Sequence, residues 1–176
     1  MAITFGENIG KTSIVRFAIY GVLALLLSYL NASVLNFIQI GEIMPDLVLI
    51  LVVYIAIREG QFTGLFAGFF AGLIFDVVTM DVLGTNALAK TIAAFTAGFF
   101  YKEDKSKQIL GSFNFLTIVF VSSLLHNLVY FFFYVKVSEL NVLNFFLKYG
   151  FASSLYTTVL ALFPILLNFK RREINV

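Results

Sequence analysis

The first candidates for chemistry in this 176-residue chain are the charged residues that interrupt its apolar stretches. They are three carboxylates and one amine: Asp46, Asp76, Asp81 and Lys90. In apolar surroundings such groups form ion pairs, relay protons or line a polar site. The chain has a single histidine, His126, and no cysteine. The lack of cysteine excludes thiolate metal sites, thiol nucleophiles and disulfides.

No catalytic pattern accompanies these groups. The sequence has no Gly-x-Ser nucleophile setting, no His-Glu-x-x-His pair and no phosphate-binding Walker loop. Asp76 and Asp81 are five residues apart, which places them on divergent faces of a helix. A lone histidine is a poor metal site, so an interhelical hydrogen bond is favoured for His126 and Asn127, with a proton relay as the alternative. We therefore predict no enzyme, no metal and no cofactor.

Glycines recur every four residues in the segment TGLFAGFFAGLIFD, at Gly64, Gly68 and Gly72, and Asp76 continues the series. On a helix these positions form a stripe of small residues that lets another backbone approach closely. Close approach is a main source of packing energy between helices in lipid. The stripe predicts a helix contact, either within this chain or with a partner protein.

The elements that carry these residues are apolar over the whole chain. The sequence is 60% apolar and 12% charged, and its mean hydropathy is +0.96. Soluble domains are about 25% charged, so a water-facing surface cannot be built from this composition. The apolar stretches are about 20 residues long, which suits helices that cross a bilayer. We predict an all-α polytopic membrane protein, and the net charge of +2 gives no reason to expect a nucleic-acid partner.

Six transmembrane helices are predicted, in a single domain that covers residues 1–176. The predicted spans are 15–40, 45–57, 62–80, 84–101, 109–135 and 142–169. Pro45 is expected in the first turn of the second span, where a missing N–H is tolerated. Pro164 is expected to kink the sixth span near its end.

Basic residues indicate how the chain is oriented. With the N-terminus inside, the inner segments hold nine lysines and arginines, whereas the outer loops hold Lys136 alone. The positive-inside rule therefore predicts that both termini are cytoplasmic. Asp76 then lies about 7–8 Å, and Lys90 about 9 Å, below the outer surface. We expect these two residues to pair, with Asp46 and Asp81 near the same level, as an outer polar cluster.

The residues from 45 to 88 resemble a known family. Pro-Asp opens the second span, the glycine-rich third span ends in an Asp, and Leu-Gly leads into the fourth. This order resembles the bacterial rod-shape-determining protein family MreD, and the residues that carry the resemblance are Pro45, Asp46, Gly64, Gly68, Gly72, Asp76, Leu83 and Gly84.

The resemblance implies a non-enzymatic component of the rod (elongation) complex in the bacterial inner membrane. Such a protein binds MreC and acts with RodA, a class B penicillin-binding transpeptidase and, indirectly, MreB. It supports lateral peptidoglycan synthesis and cell shape. The resemblance also implies a fold similar to the substrate-binding subunits of energy-coupling-factor transporters.

That fold similarity leaves an alternative function, the capture of a vitamin as a transporter subunit. Such subunits usually carry an Ala-x-x-x-Ala stripe in the first helix, and here Ala18, Gly21 and Ala24 recur every three residues instead. They also need a roomy outer pocket with several polar side chains. The candidates are Asp46, Asp76, Asp81, Asn86 and Lys90. The sequence assigns no role to the charged loop Lys102–Lys107.

Overall fold

The computed structural model describes residues 4–33, 43–138 and 146–165, with side chains over 13–33, 43–133 and 146–165. Most residues in these ranges are helical and none belongs to an extended strand, which confirms the all-α prediction. The helices are α1 (Thr4–Ser33), α2 (Leu47–Glu59), α3 (Gln61–Thr79), α4 (Thr85–Gly98), α5 (Ser106–Leu110), α6 (Phe113–Ser138) and α7 (Phe151–Leu160), with a π-helical turn at Phe146–Gly150 before α7.

Three of the described helices are long and apolar enough to cross a membrane. The qualifying stretches are Ser13–Ser33 in α1, Gln61–Thr79 in α3 and Phe113–Phe133 in α6. By contrast α2 has 13 residues and α4 has 14, which gives each a length of about 20 Å. The predicted segments 34–40, 142–145 and 166–169 fall outside the described residues.

Helix α2 occupies the centre of the bundle and begins later than predicted. The side chain of Asp46 caps it by accepting a hydrogen bond from the backbone N–H of Leu49 at 2.9 Å, so the helix begins at Leu47. The placement of Pro45 in the first turn is therefore wrong, because Pro45 precedes the cap. Eight residues of α2 are buried. Such a helix is apolar all round, as expected of an element enclosed by others.

A single residue, Gly60, separates α2 from α3, and its φ of 100° is a conformation that side-chain-bearing residues rarely adopt. The turn between α3 and α4 likewise uses left-handed residues, Met80 and Gly84. These tight connections place α2, α3 and α4 side by side in alternating directions.

The fifth predicted span begins too early. The backbone N–H and the hydroxyl of Ser112 both bond to the carbonyl of Ile109, at 3.1 and 2.9 Å, and this turn ends the short helix α5. The long helix α6 then begins at Phe113. Two helices therefore stand where one was predicted.

The described part of the sixth predicted span is not a uniform helix. It starts with the π-helical turn, and α7 then ends at Leu160, with a turn at Ala161 and helical residues again over 162–165. Pro164 has no N–H to give to the carbonyl of Leu160, so an uninterrupted helix would lack that bond. The break agrees with the kink expected near Pro164.

Candidate functional site

The described residues contain one fully buried ammonium group, that of Lys90 on α4, whose side chain is 0% exposed. Its Nζ lies 2.6 Å from Oδ2 of Asp46 and donates to Oδ1 of Asn86 at 3.0 Å. It also lies 4.1 Å from the centre of the Phe75 ring, at cation–π distance. The buried charge is therefore compensated by a carboxylate, an amide oxygen and an aromatic face.

His126 continues this arrangement from α6. Its Nε2 lies 3.4 Å from the Lys90 ammonium, and its Nδ1 lies 3.4 Å from Oδ1 of Asn127. An ammonium can only donate, so Nε2 accepts and Nδ1 carries the proton toward the Asn127 oxygen. This tautomer is assigned from the hydrogen-bond pattern.

Asn127 connects the Lys90–His126 contact to α7. Its amide nitrogen donates to the carbonyl of Gly150 at 3.0 Å and to the hydroxyl of Ser154 at 2.9 Å. These contacts confirm the predicted interhelical hydrogen bonding from the His126–Asn127 pair. Thr157 of α7 completes the connection, because its hydroxyl accepts from the backbone N–H of Asp46 at 3.0 Å.

Asp76, expected to pair with Lys90, has a different role. Its two oxygens accept from the backbone N–H groups of Gly84 at 2.8 Å, Asn86 at 3.1 Å and Ala87 at 3.3 Å. The carboxylate thus satisfies the unpaired donors at the beginning of α4 and faces the positive end of its dipole. The predicted Asp76–Lys90 pair is wrong, since the partner of Lys90 is Asp46.

Asp81 lies beside this group at the same end of the bundle. Its Oδ2 accepts from the side-chain amide of Asn86 at 3.1 Å and from the Tyr130 hydroxyl at 2.7 Å. Asn86 therefore bridges Asp81 to Lys90. We call the set Asp46, Asp81, Asn86, Lys90, His126 and Asn127 the polar cluster.

A cavity of about 760 Å³ opens at this end of the bundle, next to the polar cluster. Side chains of the cluster line it together with apolar ones such as Phe75, Met80 and Phe131. Within the described part of the chain, no group of three His, Cys, Asp or Glu side chains could hold a metal ion. The contacts of the cluster connect α2, α4, α6 and α7. The structure therefore shows these polar side chains holding helices together.

The glycine stripe lies inside the bundle. A Cβ on Gly72 would stand 2.4 Å from Cα of Ala87, and one on Gly68 would stand 2.7 Å from the carbonyl oxygen of Lys90. Both contacts are with the backbone of α4. A Cβ on Gly64 would stand 2.5 Å from the Ala56 side chain on α2. Of the two interpretations of the stripe, the structure shows contact within this chain.

Several members of this site were not predicted as such. Asn31 of α1 forms hydrogen bonds with the backbone on both sides of the residue that caps α2. Its amide donates to the carbonyl of Pro45 at 3.0 Å, and its oxygen accepts from the N–H of Leu47 at 3.2 Å. Asn31, Tyr130 and Thr157 are polar residues within apolar stretches. Their position within apolar stretches was the sequence signal that could have identified them as members of the site, because buried polar groups require hydrogen-bond partners.

These features together define a class: an all-helical membrane protein whose helices are joined by a glycine stripe and a buried ion pair. Residues 11–171 match the family described as rod shape-determining protein MreD. The chain belongs to the MreD family, a family of shape-determining proteins and not a known enzyme family. The comparison with curated proteins and the comparison with solved structures return no match.

Proposed function

We propose that this protein is a non-enzymatic component of the rod complex, in which it binds MreC and supports lateral peptidoglycan synthesis. The observation that carries the proposal is the family match over residues 11–171. RodA, a class B penicillin-binding transpeptidase and, indirectly, MreB are the further partners proposed with it. The polar cluster and the glycine stripe join the helices of the bundle, and we propose that the outer surface of the bundle makes such contacts.

The burial of the glycine stripe guides where a partner can bind. Gly64, Gly68 and Gly72 are already covered by α2 and α4, so MreC must contact another surface. Helix α1 has a large exposed apolar surface, which includes Phe17, Val22 and Leu26. Apolar side chains of this kind face either lipid or the helix of a membrane partner.

We also propose the full topology: six spans, both termini in the cytoplasm, an inner-membrane location and a fold similar to the substrate-binding subunits of energy-coupling-factor transporters. Three long apolar helices support the membrane location. The basic residues near α5 and the sequence ends support the orientation. The family match gives no support to the vitamin-transporter alternative, and we do not propose it.

Co-purification with MreC tests the proposal. The tagged full-length protein is co-expressed with the MreC of the same genome, extracted in mild detergent and captured by its tag. We expect MreC to be recovered with it, and depletion of the protein to convert rods into rounded cells. Failure of MreC to co-purify, together with unchanged cell shape on depletion, would contradict the proposal.

A further inference from the structure

A second cavity, of about 650 Å³, lies at the opposite end of the bundle from the polar cluster. It is bounded by the end of α4, the loop Lys102–Lys107 with α5, and the first turns of α6. The proposed function assigns no role to it.

The mouth of this cavity is basic and polar. Lys102 and Lys105 line it together with Gln108 and Asn114. All four residues are exposed. Within the described residues neither lysine has a carboxylate partner within 4.0 Å. The acidic residues of the same loop, Glu103 and Asp104, are not part of the lining. The mouth therefore carries two positive charges next to hydrogen-bonding side chains.

The inner part of the cavity is a groove between α6 and the end of α4, and its apolar lining includes Phe99, Phe100, Ile118 and Val121. Asn114, Thr117 and Val121 lie three and four residues apart, so they share one face of the helix. This face extends about 10 Å from the mouth into the bundle. Among the lining residues, Phe99 is 66% exposed, Phe100 45% and Val121 38%. The groove is therefore open to lipid along its length.

A basic mouth that continues into an apolar groove matches the two halves of a phospholipid. We propose that this cavity binds an anionic phospholipid, with the phosphate against Lys102 and Lys105 and an acyl chain against Phe99, Phe100, Ile118 and Val121. Basic pockets between membrane helices on the cytoplasmic side bind anionic headgroups, and the positive-inside rule places this end there. The groove selects a lipid over a free phosphate ion because it offers apolar surface to a chain.

Lipid binding to the purified full-length protein tests the inference. Native mass spectrometry in detergent compares phosphatidylglycerol with phosphatidylcholine of the same acyl chains. We expect selective retention of phosphatidylglycerol. The double variant Lys102→Gln/Lys105→Gln should lose about 25-fold in apparent affinity, since each lysine that contacts the phosphate directly contributes about fivefold.

Two matched controls keep the test specific. Lys107→Gln removes a charge from the same loop outside the lining and should leave binding within about twofold of the unaltered protein. Val121→Trp should weaken lipid binding by filling the groove while both lysines stay in place. Equal loss in the Lys107 variant, no preference for phosphatidylglycerol, or full displacement of the lipid by inorganic phosphate would overturn the inference. None of these outcomes bears on MreC binding.

Discussion

At the residue scale, the Lys90–Asp46 pair has a large energetic consequence because the ammonium group is fully buried. Moving an ammonium out of water costs several kcal/mol, and this cost is repaid only by close and complete hydrogen bonding. The 2.6 Å contact with Asp46, the Asn86 amide and the Phe75 ring provide that compensation. Removal of either charged partner therefore leaves the other charge buried without compensation, which lowers the stability of the fold.

A double-mutant cycle tests the assignment of the pair. Lys90→Met removes the ammonium and leaves Asp46 without its counter-charge, so we expect it to lower stability by about 3–5 kcal/mol. Asp46→Asn keeps a capping oxygen for the N–H of Leu49. In the double variant the two losses should not add, because neither charge remains. The free energy of unfolding in detergent measures the coupling.

Asp76→Asn provides the matched control for this cycle. Asp76 bonds to the beginning of α4 and not to Lys90, although both residues bond to Asn86. The coupling energy between Asp76→Asn and Lys90→Met should therefore be clearly smaller than that between Asp46→Asn and Lys90→Met. Strong coupling of Lys90 to Asp76 and none to Asp46 would contradict the structure.

The sequence located the charged residues at one end of the bundle but misassigned their partners. Depth along a helix can be counted from the sequence, and Asp76 and Lys90 come to similar depths. The free N–H groups at the beginning of α4 compete for the same carboxylate, and they lie closer to it in the fold. The local sequence signal for a helix beginning here was Gly84 followed by the polar Thr85 and Asn86.

At the scale of elements, the contact between α3 and α4 depends on the absence of side chains. Gly68 and Gly72 let the backbone of α4 approach so closely that even a methyl group would overlap it. In lipid, where apolar burial contributes little, this close packing is a principal attraction between helices. The stripe therefore sets the distance between the two elements that carry Asp76 and Lys90.

Substitution of alanine in the stripe tests this contact. Gly72→Ala places a Cβ 2.4 Å from the backbone of Ala87, so we expect a loss of about 1–3 kcal/mol from overpacking. Gly21→Ala on α1 is the control, because a Cβ there meets nothing within 4 Å. It should be neutral or stabilising by up to about 1 kcal/mol, as alanine favours helix. Thermal unfolding of both variants in the same detergent makes the comparison. Equal stability of the two variants would contradict close packing at Gly72.

Helix bodies could be predicted from the sequence, whereas some of their ends could not. The ends of α3 came within a residue of the prediction, because charged and glycine residues bound its apolar run. The break between α5 and α6 was missed because Gly111 and Ser112 are compatible with a membrane helix. Only the local turn at Ile109 and Ser112 ends α5 there.

At the scale of the whole molecule, the two ends of the bundle differ in charge and in shape. One end holds the polar cluster with its open cavity, and the other holds the basic loop with its groove. Helices α2 and α4, about 20 Å long, lie between these two openings. The orientation of the molecule decides which opening faces the cytoplasm.

Single cysteines can report this orientation, because the chain contains none of its own. Val82 and Asp104 are exposed at opposite ends of the bundle. We expect a membrane-impermeant maleimide to label Val82→Cys in intact cells and Asp104→Cys only after lysis. Labelling of Asp104→Cys in intact cells would reverse the proposed topology, and labelling of both from outside would contradict the crossing of α4.

The one-residue link at Gly60 restricts changes in chain length. Each residue of an α-helix turns the chain by about 100°, so inserting one residue into this link would rotate α3 about its axis. Ala67 and Ala71 would then take the places of Gly68 and Gly72 against α4, where a Cβ meets the backbone. Deletion of one residue would instead bring the larger Phe69 and Leu73 to these places. Insertions are therefore expected to be tolerated in the exposed loop around Asp104, where no helix register depends on the number of residues.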